Sequence, residues 1–289
     1  MDGPDQSLLR AGDAVVFIDR KEREYLRVLR PGTRIHLRSG NIETDALIGQ
    51  PEGRIVYNSG KEAFLVLRPT FAQLIPNLPR QAQVIYPKDI GPILLWGDIY
   101  PGATVIEVGA GPGALTMALL RAVGAGGRVI TYEVRADFID MAQGNVRRFL
   151  GEAPNWTVKH ADARLGFEER GVDRLTCDMP EPWTVLEGAA TALRPGGVIV
   201  GYVPTVLQVK QFVDAVRAHG GFAGVQVFEA IQRFWHVKGL SVRPDHRMVA
   251  HTGFVIVARR LAERGIALTP EDPCSTDEEL PATASHDEG

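Results

Sequence analysis

From Thr104 to Ala258 the chain alternates short apolar runs with longer amphipathic stretches, and that alternation restricts the fold more than any other feature. Thr104-Val105-Ile106-Glu107-Val108 reads as a buried strand, residues 114–123 as a helix, 128–132 as a second strand and 136–149 as a second helix. Further strands are predicted at 156–159, 173–177 and 197–203, then a helix at 205–218 and late strands at 224–228 and 253–258. A strand-helix series of this kind implies an α/β fold, a doubly wound parallel sheet with right-handed crossovers. Such sheets gather ligands at the carboxyl ends of their strands, so residues just beyond each strand are the candidates for chemistry.

The earlier part of the chain differs. Ala14 to Ile18, Arg34 to Arg38, Arg54 to Tyr57 and Ala63 to Leu67 alternate apolar and polar residues, with Ser39-Gly40-Asn41 and Asn58-Ser59-Gly60-Lys61 as turns. Residues 1–68 therefore read as a small β-rich, barrel-like domain. Pro69, Pro76 and Pro79 mark a linker over 69–82, and the α/β domain occupies 83–260. The formal charge of −3 is unevenly placed. Between Ala262 and Gly289 eight acids face one base, Arg264, and the rest of the chain is left with 31 bases and 27 acids. Residues 261–289, rich in Pro, Thr and Ser, read as an acidic disordered tail. A body at +4 permits nucleic-acid binding without requiring it.

Cys177 and Cys274 are the two cysteines, with neither zinc spacing nor a disulfide framework, which points to a reducing cytoplasm. No apolar run approaches the roughly 20 residues that span a bilayer, and the N-terminus lacks a basic, then apolar, leader. Neither membrane insertion nor secretion is expected. His246 and His251 lie five apart beside Asp245 but lack a third ligand at metal spacing, so no metal is expected.

The first predicted strand leads into its helix through Gly109-Ala110-Gly111-Pro112-Gly113-Ala114-Leu115. Gly109, Gly111 and Ala114 satisfy the dinucleotide pattern, and Glu133 lies where an acid would bind ribose, so a nicotinamide enzyme stays open. Glu107 before the glycines, and an acid at the end of three successive strands, fit S-adenosylmethionine better. That molecule presents an ammonium, a ribose diol and an adenine amino group but no pyrophosphate, so it calls for acceptors. On this reading Glu107 lies near the methionine end, residues 109–115 wrap methionine and ribose, Glu133 takes the ribose hydroxyls and Asp162 the adenine amine. The run Asp178-Met179-Pro180-Glu181-Pro182-Trp183 sets a carboxylate, a stiff backbone and an indole at a strand end, as suits work on a nucleobase edge; a turn or helix cap is the alternative.

Together with Gln83-Val84-Ile85-Tyr86-Pro87-Lys88-Asp89, Pro204-Thr205, Gln208, Arg243-Pro244-Asp245-His246-Arg247-Met248 and His251-Thr252, that run resembles the TrmI-type tRNA (adenine-N1)-methyltransferases of bacteria and archaea. The resemblance covers about residues 10–260. It implies methylation of N1 of adenosine 58 in the tRNA T-loop by a homotetramer, with a β-rich N-terminal domain and a Rossmann-like class I methyltransferase domain whose sheet is seven-stranded and mostly parallel. It implies that Asp178, close to the methyl donor, hydrogen-bonds the adenine N6 and stabilises the developing positive charge. Tyr86 would pack on the base, and Trp183, Arg243, His246, Arg247 and His251 would lie on the RNA side. A non-catalytic RNA-binding subunit on the same fold is the alternative, although such a subunit needs neither the glycine loop nor Glu133 and Asp178.

Overall fold

The computed structural model describes residues 8–80 and 83–265. The expected disordered tail and Cys274 therefore fall largely or wholly outside the described residues.

Six short strands come first: β1 (Ala14–Asp19), β2 (Glu24–Val28), β3 (Arg34–Leu37), β4 (Gly40–Glu43), β5 (Arg54–Tyr57) and β6 (Ala63–Leu67). Four form an antiparallel sheet in the order β2-β1-β6-β5, and β3 pairs with β4 as a hairpin. Alternation sorts the side chains as predicted. In β3, Ile35 and Leu37 are buried whereas Arg34 and His36 face outward. The inner residues, Val15, Phe17, Leu29, Phe64 and Val66 among them, make a separate small core. Strands β2 and β4 were not expected, because each is too exposed to carry a clean apolar pattern.

The Pro-rich stretch holds a short helix, α1 (Phe71–Leu74), opened by a capping box between Thr70 and Gln73, and a 3-10 turn at Ile75–Asn77. Next comes α2 (Pro87–Trp96), a helix that sequence reading missed because Gly91 and Pro92 lie inside it. Pro87 sits in its first turn, where the missing N–H costs nothing, and burial of Ile90 and Ile93 supplies what propensity lacks.

The remaining elements are β7 (Thr104–Val108), α3 (Ala114–Val123), β8 (Arg128–Glu133), α4 (Ala136–Phe149), β9 (Trp156–His160), β10 (Val172–Cys177), α5 (Leu186–Ala192), β11 (Leu193–Val203), α6 (Val206–His219), β12 (Phe222–Phe228), β13 (Trp235–Lys238), β14 (Ser241–Pro244) and β15 (Phe254–Arg260). Seven of these strands form one sheet, ordered β12-β15-β11-β10-β7-β8-β9. Strands β7 to β11 run parallel, and β15 is antiparallel to both β11 and β12. Alternate residues enter two different cores. Val105, Val129, Val200 and Val257 pack with α2 and α3, whereas Ile106, Ile130, Ile199 and Ile256 pack with α5 and α6. Burial on both faces is why these strands read as continuous apolar runs. The chain reverses its lateral direction between β7 and β10, which places a crevice at their carboxyl ends. Between β12 and β15 the β13-β14 hairpin pairs only with itself.

Candidate active site

At that crevice Gly109 leaves β7 with φ of 88°, in the left-handed region that favours glycine. A Cβ there would lie 2.2 Å from the carbonyl oxygen of Asp178, so the glycine lets the ends of β7 and β10 touch. The buried Asn145 of α4 ties the loop down by donating to the Pro112 carbonyl at 2.8 Å. Gly113 caps α3, while the side chains of Ala114 and Leu115 are packed in the core beneath the loop and do not line the crevice.

The acids expected at the strand ends take four different roles. Glu107 is fully buried below the loop: its Oε2 accepts from Thr116 Oγ1 and Thr131 Oγ1, each at 2.7 Å. Its Oε1 is buried with no partner, as is Oγ1 of Thr176, paired in register with it on β10. Desolvation pushes the Glu107 carboxyl up to about 8 against the pull of the two threonine bonds, and the charges of Asp178 and Glu133 add to the rise. A carboxyl whose folded value lies above its unfolded one stabilises the fold fully below about 4.5, and that contribution is lost as pH rises through about 8. Glu107→Gln keeps an acceptor for both threonines and brings an amide N–H that Thr176 could accept. It is therefore expected to gain stability relative to the unaltered protein between these limits, by at most about 1.4 kcal/mol per pH unit. Urea unfolding at pH 5 and pH 8 checks this; a difference that does not change with pH would refute it.

Glu133 fastens the loop. Its Oε2 accepts the Ala110 N–H at 3.0 Å, and its Oε1 accepts those of Val134 and Arg135 at 2.8 and 2.9 Å. Asp162 caps the turn after β9 and holds the side chain of Arg164 at 2.7 Å. The carboxylate of Asp178 has no hydrogen-bond partner among the described residues, while its N–H donates to Val108. Enclosure by protein, and next the charge of Glu133, raise its carboxyl to about 7; the residue is nonetheless reached by solvent, which damps that push. Gly109, Gly111, Glu133, Asp162 and Asp178 line one cleft of about 510 Å³.

A second cleft, of about 1270 Å³, is lined by Tyr86, Lys88, Phe234, His246, Arg247 and Met248. Tyr86 is half-buried at the start of α2. Sequence reasoning missed what builds this wall. The buried carboxylate of Asp89 accepts from Lys88 Nζ at 2.8 Å, Thr252 Oγ1 at 2.5 Å and Tyr202 OH at 3.3 Å, and Lys88 also donates to the Ala230 carbonyl. Burial raises the Tyr202 phenol, and the charges of Asp89 and Asp178 add to the rise. His251 donates through Nε2 to the Pro204 carbonyl at 2.8 Å and pairs through Nδ1 with Glu229 at 2.9 Å, and these bonds raise its pKa. Gln208, held by the α6 cap Thr205, donates to the Pro180 carbonyl at 2.9 Å and so clamps the segment after Asp178. Three of the residues expected on the RNA side line neither cleft: Trp183 packs half-buried on the α5-α6 core, Arg243 bonds the neighbouring Pro244 carbonyl, and His251 is held by Pro204 and Glu229. Among the described residues no group of three or more His, Cys, Asp or Glu is placed to hold a metal.

The comparisons agree with this architecture. Residues 63–252 match the family model "tRNA methyltransferase complex GCD14 subunit", and residues 8–56 match "TrmI-like N-terminal". A relative from Thermus thermophilus, "tRNA (adenine(58)-N(1))-methyltransferase TrmI", is 36% identical over 84% of this chain and 94% of its own length. A tRNA (adenine(57)-N(1)/adenine(58)-N(1))-methyltransferase TrmI from Methanocaldococcus jannaschii is 34% identical over 75% of this chain and 82% of its own. Among solved structures, a SAM-dependent O-methyltransferase from Thermotoga maritima superposes with a TM-score of 0.86, at 32% identity over 91% of this chain and 98% of that one. The tRNA (m1A58) methyltransferase TrmI of Aquifex aeolicus gives 0.79, at 28% identity over 89% of this chain and all of that one. With residues 63–252 matching the family model and a TrmI relative 36% identical over 84% of the chain, the chain belongs to the TrmI family of tRNA methyltransferases.

Proposed function

We propose that the chain transfers a methyl group from S-adenosylmethionine to N1 of adenosine 58 in the tRNA T-loop. The observation that carries this reading is the unpartnered Asp178 carboxylate at the carboxyl end of β10, in a cleft it shares with Glu133 and Asp162. Three acids suit a ligand with a cationic end, ribose hydroxyls and an adenine amine. Glu133 would meet the ribose and Asp162 the adenine amine, while Glu107 acts from below by shaping the loop. When bound, S-adenosylmethionine supplies an electrophilic methyl group.

Adenine N1 carries a lone pair, so no strong base is needed and orientation and electrostatics dominate. Asp178 accepts a hydrogen bond from N6, and its charge favours the purine as it turns cationic. A carboxyl raised toward neutrality is also matched to taking up the N6 proton afterwards. Tyr86 offers a flat partner to the flipped base, and Gln208 keeps Asp178 in place through Pro180. His246 and Arg247 line the adjoining cleft and would contact RNA backbone.

Self-association as a homotetramer is part of the proposal. Exposed Trp235, Val237, Leu240 and Val242 on the β13-β14 hairpin support it, and light scattering tests it. A cytoplasmic location accords with the buried free thiol of Cys177, and no described helix is long and apolar enough to cross a membrane. The activity is tested with labelled S-adenosylmethionine and unmodified tRNA transcripts, read by nucleoside mass spectrometry. Formation of 1-methyladenosine in the intact transcript, and none where adenosine 58 is replaced, is expected. Binding of both substrates without transfer would favour a non-catalytic subunit.

A further inference from the structure

Arg164 has a relation to Asp162 that goes beyond an ordinary surface pair. Asp162 Oδ1 accepts the Arg164 N–H at 3.0 Å, Nε lies 3.0 Å from both carboxylate oxygens, and Nη2 reaches Oδ2 at 2.7 Å. A carboxylate offers about four acceptor positions, and three N–H donors of Arg164 engage both of its oxygens. Both residues line the acid-lined cleft, as does Glu181 on the segment after Asp178. The guanidinium also feels the charge of Glu181, which lines the same cleft. The side chain is about half exposed, and no other carboxylate among the described residues holds it.

We propose that the guanidinium of Arg164 competes with the adenine amine of the ligand for the Asp162 carboxylate and so tempers the preference for adenine. The inference rests on the assignment of the adenine end to Asp162. A ligand with an exocyclic amino donor replaces the bonds that Arg164 gives up, and the released guanidinium turns toward Glu181 across the cleft. A ligand with a carbonyl at that position cannot make the exchange and gains nothing from the removal of Arg164. Arg164 thus lowers affinity for the adenine ligand modestly and makes its exchange easier.

Calorimetric titration with S-adenosylhomocysteine and with its inosine counterpart tests this on the full chain. Arg164→Ala is expected to bind S-adenosylhomocysteine about two- to fivefold more tightly, the range for an exposed ion pair, and the inosine ligand unchanged. In an Asp162→Ala background the same substitution is expected to have no effect, because the contested carboxylate is gone. Unchanged or weaker binding by Arg164→Ala, with its melting transition intact, would overturn the inference, as would tightening that persists without Asp162. Failure of the unaltered protein to bind S-adenosylhomocysteine would instead overturn the cofactor reading, and this inference with it.

Discussion

Asp178→Ala is expected to slow methyl transfer by about a thousandfold, equivalent to roughly 4 kcal/mol of transition-state stabilisation, while cofactor affinity changes little. The carboxylate bonds no other side chain, so its removal leaves the glycine loop in place: Glu133 still fastens Ala110, and Gln208 still holds Pro180. Asp178→Asn keeps the shape without the charge and is expected to lose nearly as much. The pH profile separates charge from geometry. With the carboxyl raised to about 7, the required anion is depleted below that value, and kcat/KM should fall tenfold per pH unit on the acid side. Fold stability moves the opposite way. A raised carboxyl stabilises the fold fully below its unfolded value of about 3.8, and that contribution fades as pH rises through about 7. Acid should therefore switch off turnover without unfolding the protein through this group. Single-turnover assays from pH 5.5 to 8.5 decide the matter, and an alanine variant within tenfold of normal activity would sink the mechanism.

The largest effect on stability is expected from Asp89→Ala, which should destabilise the fold by roughly 3–5 kcal/mol. Asp89 is fully buried and satisfies Lys88, Thr252 and Tyr202 at once. Its loss leaves the ammonium of Lys88, itself nearly buried, with only the Ala230 carbonyl. Thr252→Ala removes one neutral donor and is expected to cost less, about 1–2 kcal/mol. Denaturant unfolding of the two variants measures the contrast. A loss below about 1 kcal/mol for Asp89→Ala would mean that water replaces the carboxylate and that the wall of the second cleft is soft.

The sheet was legible because both of its faces are covered, so β7, β8, β11 and β15 appear as mainly apolar runs and β10 as a short one interrupted by Asp173 and Arg174. Elements whose side chains are half in solvent were not: β2, β4 and the β13-β14 hairpin carry too little pattern. Helix α2 was hidden by Gly91 and Pro92, and packing overrode local propensity there. Strand-end logic placed Glu133, Asp162 and Asp178 around one cleft. It put Glu107 near the methionine end, acting directly or through the loop; the structure sets it below the loop, on the face of Val105 toward α3, where the period of two places it. The Asp89-Thr252 bond joins positions 163 residues apart. Nothing in a single sequence pairs them, even though both segments stand out in it.

The position of β15 has a consequence for how the protein is made. It is the last strand among the described residues, yet it lies inside the sheet, between β11 and β12, and β12 bonds to no other described strand. On the ribosome, the acid-lined cleft, built from residues 83–181, emerges well before the segment 246–252 that completes the second cleft. Until β15 inserts, β11 is left as an open apolar edge able to pair with another nascent chain. Its long-range pairings also belong to the slow class of folding events. A chain stopped near residue 250 would thus present a nearly complete acid-lined cleft on an aggregation-prone intermediate, and insertion of β15 would be the step that closes the sheet.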